Sequence, residues 1–272
     1  MKSKIAGIFL FLIVSVSCGE YNKVLKLTDI DRKFEYAKRY FDEGKFSRAA
    51  TLLEEVVQMR RGSGSGEEAL YLLAQSYYGM KDYLTAAEYF STYSKTYPKG
   101  KYTELARYYS AYGLFLESPD PRLDQTQTYK AMEQLQDFME LYPQSERKDE
   151  AQKVLFELQE KLAMKELLTV RLYYNLGNYL IYSFPGGNYL SCVLTAQNAM
   201  RSYPFTKHRE EFMYYTFKSK YEMAMQSVDE KKDFRYRDVV DEYYSYVNEY
   251  PEGKYEKEIK RLYQNVEREL KQ

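Results

Sequence analysis

The chain has 272 residues with 40 Lys and Arg against 40 Asp and Glu, a formal charge of zero, so the basic excess of a nucleic-acid footprint is missing. One histidine, His208, and two cysteines, Cys18 and Cys192, are too few for a His/Cys zinc site, a haem-attachment motif or an ordinary His-based triad. Tryptophan is absent, tyrosine occurs 32 times, and 44% of residues are hydrophobic, which is enough for a folded core.

The first segment reads as an export signal. Lys2 and Lys4 precede an apolar run, Ile5 to Val16, too short to span a hydrocarbon core of about 30 Å but suited to a signal h-region. Ser15-Val16-Ser17-Cys18 resembles a bacterial lipobox, in which the cysteine carries a covalent lipid and becomes the mature N-terminus. The alternative is an ordinary signal peptide cut near Ser17. The expected division is a signal peptide over 1–17 and a lipid-anchored tether over 18–30. No cofactor is expected beyond the lipid on Cys18. Gly19 follows the cysteine, so the aspartate of an inner-membrane retention signal is missing. By resemblance to that sorting rule the protein belongs at the outer membrane, facing the periplasm.

Tyr-Pro recurs at 97–98, 142–143, 203–204 and 250–251, at intervals of about 45, 61 and 47 residues. Each pair closes an amphipathic stretch, and proline ends a helix at the residue before it. With the insertions removed, the unit approaches the tetratricopeptide (TPR) repeat of about 34 residues. The second unit shows the pattern best: Leu70, Leu73, Ala74 and Tyr77, then Tyr83, Ala86, Phe90 and Pro98. Ala74 and Ala86 stand where the two helices of a hairpin cross closely. The first unit has Tyr36, Ala37 and Tyr40, then Phe46, Ala49 and Leu53, and Gly62 to Gly66 reads as a flexible joint.

The third unit is placed on Tyr102, Leu105, Ala106 and Tyr109, with an insertion over 118–128 before Ala131 and Leu135. The fourth is placed on Tyr173, Leu176, Gly177 and Leu180, then a 184–188 loop, Tyr189, Cys192, Ala196 and Ala199. The fifth is looser, a helix around 208–227 followed by Tyr236, Val239, Tyr243 and Tyr246. Residues 146–164 form either a separate linking helix or an extension of the fourth unit's first helix. Residues 254–270 read as an amphipathic cap. The predicted fold is all-α, a right-handed superhelix of about five TPR hairpins. N-terminal units occupy 31–117; C-terminal units with the linking and capping helices occupy 118–272.

No catalytic residue and no metal ligand set is expected. Cys192 takes a small-residue position and reads as buried, and His208 reads as a surface residue. Glu54-Glu55, Glu67-Glu68 and Glu210-Glu211 read as solvated faces, because adjacent helical residues diverge. Gly186-Gly187 lacks the strand and spacing of a phosphate loop. A peptide groove is predicted on the first helix of each hairpin, at positions three before, one after and four after the small residue. These are Phe34, Lys38 and Phe41; Tyr71, Gln75 and Tyr78; and Thr103, Arg107 and Ser110. Four aromatics flanked by Lys38 and Arg107 suit an extended peptide with aromatic side chains and a terminal carboxylate. The alternative is that these rings pack against the preceding repeat.

A lipobox followed by these units resembles the BamD family of outer-membrane lipoproteins. The more specific stretches are Tyr97-Pro98-Lys99-Gly100-Lys101-Tyr102, Asp120-Pro121, and Lys161 to Leu167 leading to Tyr173-Tyr174. The resemblance implies a non-enzymatic role in folding and inserting outer-membrane β-barrel proteins. It implies N-terminal repeats that recognise C-terminal strands of unfolded substrates, and C-terminal repeats that dock on a BamA-like barrel with periplasmic domains. Another periplasmic TPR adaptor or a glycan-binding lipoprotein is the competing reading.

Overall fold

The computed structural model describes residues 19–179 and 187–271, and every regular element among them is helical, with no strand. Residues 19–25 form α1. There follow α2 (Ile30–Asp42), α3 (Phe46–Met59), α4 (Gly64–Gly79), α5 (Tyr83–Thr96), α6 (Thr103–Leu116) and α7 (Thr126–Leu141). The remainder are α8 (Lys148–Leu176), α9 (Gly187–Ser202), α10 (Arg209–Met225), α11 (Asp229–Glu249) and α12 (Glu256–Glu269). The linking segment and the fourth unit's first helix are therefore one helix, α8.

The chain divides into two compact units. The first holds the described residues through Pro119 and Thr126–Leu155; the second holds Asp120–Gln125 and the chain from Phe156 onward. The boundary thus falls inside α8, not at the 117/118 insertion, because α7 packs on α6 and keeps the third hairpin whole. In the first unit each helix from α2 to α7 packs on the next, as in a TPR-like array. Ala37, Ala49, Ala74 and Ala86 are fully buried at the crossings, with Leu53, Leu73 and Phe90 filling the space around them. Each such large side chain contributes about 1.5–3 kcal/mol by leaving water. In the second unit, Leu167 and Val170 of α8 pack on Cys192, Ala196 and Ala199 of α9 and Phe212 of α10. Ile259 and Val266 of α12 close the far end over Tyr246 and Phe217.

Two sequence expectations change. Gly62–Gly66 is not a loose joint. Ser63 caps α4, its hydroxyl accepting from the Gly66 N–H at 3.1 Å. Gly66 lies so close to the Arg60 carbonyl that a Cβ there would sit 2.0 Å from the oxygen. Gly66 serves that close approach, and Gly62 takes a left-handed φ of 84 in the turn before α4. Gly177 is not a crossing residue either: at φ +50 it ends α8 in the left-handed conformation, and the crossing is made a few turns earlier at Leu167 and Val170. Leu180 and most of the 184–188 loop lie outside the described residues.

The hairpins are closed by one recurring device. Glu67, Glu104 and Glu210, in the first turns of α4, α6 and α10, reach the loop that follows the partner helix. Glu67 Oε1 accepts from the Tyr93 hydroxyl at 2.6 Å and from the Lys101 N–H at 2.7 Å. The Tyr93 hydroxyl in turn accepts from the Tyr102 N–H at 3.1 Å. In the second unit the Tyr246 hydroxyl donates to Glu210 at 2.7 Å and accepts from the Tyr255 N–H at 3.1 Å. Both loops carry Tyr-Pro-x-Gly-Lys-Tyr, at 97–102 and 250–255. Gly100 and Gly253 are required because a Cβ would meet the glutamate oxygen at 2.6 Å in either case. Ser145 makes the equivalent bond to Glu104 at 2.5 Å, and the Lys207 N–H donates to Glu160 of α8 at 3.3 Å. Glu67 and Glu210 are therefore structural anchors rather than solvated faces. His208, expected at the surface, has a side chain only 11% exposed, 3.9 Å from Glu160, because its loop is drawn onto α8. Burial lowers its pKa.

Candidate peptide groove and the N-terminal tether

The recurring device also fixes which side chains of the first unit share a face. Glu67 and Tyr71 of α4 correspond to Glu104 and Tyr108 of α6, one helical turn apart in each pair. The residue equivalent to Ala74 is then Ala111, not Ala106; both alanines are fully buried, so burial alone does not separate them. Positions equivalent to Tyr71, Gln75 and Tyr78 are Tyr108, Tyr112 and Phe115.

The nine predicted groove residues divide accordingly. On α2, Phe34 is 5% exposed and belongs to the core, not to an open face. Lys38 is half-buried, its ammonium 4.7 Å from the Phe34 ring centroid and 2.7 Å from Glu35. Phe41 meets Phe46 edge-on at 5.5 Å. On α4, Tyr71 stacks on Tyr102 at 4.1 Å and accepts from Gln75 Nε2 at 3.0 Å. Tyr78 is half-buried against Tyr83 at 5.2 Å and Tyr109 at 5.4 Å. On α6, the three predicted residues point elsewhere. Thr103 is buried, its hydroxyl within 2.6 Å of the Tyr97 carbonyl. Ser110 is buried, its hydroxyl 3.0 Å from the Ala87 carbonyl of α5. Arg107 faces a furrow between α5 and α7.

The half-buried aromatic stripe is instead Phe41, Tyr71, Tyr78, Tyr109 and Tyr112. Tyr112 stacks against Tyr108 at 5.5 Å. Its second cation is Arg147, at the start of α8, whose guanidinium lies 5.0 Å from the Tyr108 ring and 5.3 Å from Tyr109. Burial pushes the Tyr78 phenol up to about 12 and raises Tyr71 as well. These rings are neutral at physiological pH and offer apolar faces edged by hydroxyls, a surface for aromatic side chains. The sequence carried one signal for this register: Phe34, Tyr71 and Tyr108 follow at constant spacing.

Cys18 lies outside the described residues. Directly after it, α1 is clamped to the first hairpin. Val24 is 2% exposed, Glu20 pairs with Arg39 at 2.8 Å, and Tyr21 meets Tyr40 edge-on at 5.7 Å. The buried Lys33 ammonium holds the end of α1 through the Leu25 carbonyl at 3.2 Å, and Glu55 at 2.6 Å.

Among the described residues no His, Cys, Asp and Glu cluster could hold a metal ion, and no helix is long and apolar enough to cross a membrane. No curated protein matches the chain. Residues 29–182, more than half of the sequence and the whole series of hairpins from α2 into α8, match YfiO, described as an outer membrane lipoprotein, and the chain belongs to that family.

Proposed function

We propose that the chain is a non-enzymatic scaffold and substrate-recognition lipoprotein that helps fold and insert β-barrel proteins into the outer membrane. The observation that carries this reading is the family match across the hairpins that bear the aromatic stripe. A lipid on Cys18 supplies the anchor, and several acyl chains make such an anchor effectively permanent. The stripe of the first unit receives the aromatic C-terminal strand of an unfolded barrel protein. Rings from Tyr78 and Tyr112 form its apolar floor, and Arg147, against Tyr108 and Tyr109, attracts a terminal carboxylate. The second unit docks a barrel partner with periplasmic domains.

Depleting the protein and measuring outer-membrane barrel proteins tests this function. Their levels should fall; unchanged levels would refute it. Recovery of a glycan transporter without a large barrel partner from solubilised membranes would favour the adaptor or glycan reading. At the site, Tyr78→Ala with Tyr112→Ala should weaken binding of a peptide ending in phenylalanine at least tenfold with helicity intact.

A further inference from the structure

Arg107 faces away from the aromatic stripe, into a furrow walled by α5 and α7 with α6 as its floor. Two adjoining hollows of about 360 and 430 Å³ make up this furrow, and they share Ser91, Lys95, Ser110 and Gln134. Two buried polar atoms there lack partners. Arg107 Nε has no acceptor, and Gln127 Oε1, lining the second hollow, has no donor. Buried polar groups are nearly always satisfied, so an orphaned guanidinium N–H beside a polar hollow marks a missing partner. The guanidinium lines the hollow, and turning it toward the hollow brings Nε and an adjacent Nη out as two parallel donors, the fork that takes a carboxylate side-on. Lys95 adds a second positive charge on the same hollow. The opposite wall carries Glu133 and Asp137 of α7, and the second hollow adds Glu88 and Lys130; with cations and carboxylates balanced, a phosphate or polyanion meets more repulsion than a single carboxylate does. The hollows adjoin through four shared residues, so together they offer more length than one side chain fills, and their walls are mainly serine, glutamine and charged side chains.

We propose that this furrow is a carboxylate-binding site that takes an acidic side chain on a polar, extended polypeptide segment, with Arg107 as the gripping residue. It is separate from the aromatic stripe and does not depend on the barrel-assembly reading. The test uses the mature chain and three probes: a Ser-Gly-Glu-Gly-Ser peptide blocked at both ends, the same peptide with Gln for Glu, and free glutarate. Calorimetry should show binding of the Glu peptide, with the Gln peptide and glutarate at least tenfold weaker. R107Q should abolish binding without lowering the melting temperature, since the residue it replaces has no partner to lose. Ser91→Glu places a carboxylate on the hollow itself. It should block the peptide and raise the melting temperature. Tyr78→Ala should leave binding unchanged. Equal binding of the Glu and Gln peptides, or full binding by R107Q, overturns the site. Glutarate binding as tightly as the Glu peptide overturns the assignment to a polypeptide.

Discussion

Tyr93→Phe isolates the device that closes the second hairpin. The Tyr93 ring is fully buried, so the substitution leaves no cavity and removes only the hydroxyl. Two bonds go with it: the 2.6 Å bond to Glu67 Oε1 and the 3.1 Å bond from the Tyr102 N–H. A hydrogen bond to a charged group contributes about 1.5–3 kcal/mol and a neutral one about 1 kcal/mol. The expected loss is therefore about 3 kcal/mol, or roughly 6–12 °C in melting temperature for a protein of this size. Tyr97→Phe is the control: its hydroxyl accepts only an exposed bond from the Gly62 N–H at 3.1 Å, so the cost should stay below about 1 kcal/mol. Tyr246→Phe should reproduce the Tyr93 effect in the second unit. Denaturant unfolding of the mature, unlipidated chain gives the energies, and hydrogen exchange should localise the opening to 97–102 for one variant and 250–255 for the other. A Tyr93→Phe cost no larger than that of Tyr97→Phe would refute the closure argument.

Alkaline titration should destabilise the protein steeply. Burial pushes Tyr78 up to about 12 and raises Tyr93 and Tyr246 further, and the bond to Glu54 raises Tyr77. Their unfolded value is 10.0, so this stability is intact below pH 10 and is lost as pH rises through 12; a melting temperature flat across that range would contradict it. The Cys192 thiol, which burial pushes up to about 11, should resist alkylation in the native protein and react only on unfolding. Lys81 adopts a left-handed φ of 63 where the first hairpin has Gly44 at φ 70, so Lys81→Gly should stabilise by roughly 0.5–1 kcal/mol, read as an upward shift of the unfolding midpoint. A flexible Gly-Ser insertion between Gly19 and Glu20 separates the anchor from the clamped α1. It should leave lipidation and abundance unchanged while barrel-protein levels fall severalfold; full function would show that the tether needs no fixed length.

The hairpins were legible because their crossings demand small residues at fixed spacing, and Ala37, Ala49, Ala74 and Ala86 supply them. The register of α6 was not. Leu105-Ala106-x-x-Tyr109 copies Leu73-Ala74-x-x-Tyr77 more closely than the true equivalent, Ser110-Ala111-x-x-Leu114, does. A local pattern does not choose between two alanines that are both buried; the choice is made by contacts far apart in sequence, such as Ser145 on Glu104. Gly177 misled for a related reason. A glycine fits both a close crossing and a helix stop, and only the backbone direction decides. At Leu167 and Val170 α8 presents large side chains, and Cys192, Ala196 and Ala199 of α9 provide the space.

The tyrosine excess is in part structural. An abundance of amphipathic rings suggests interfaces, yet Tyr77, Tyr93 and Tyr246 each place a ring in the interior and a hydroxyl on a glutamate of a neighbouring helix. Phenylalanine would fill the same space and leave the carboxylate short of a donor. Two of the hairpins are closed through a tyrosine, Tyr93 on Glu67 and Tyr246 on Glu210, so part of the tyrosine excess serves the fold whether or not anything binds. The rings that bear on the proposed recognition are the half-buried ones of the stripe on α4 and α6, Tyr78 and Tyr112 among them. The proposal rests on those few rings and not on the tyrosine count of the whole chain.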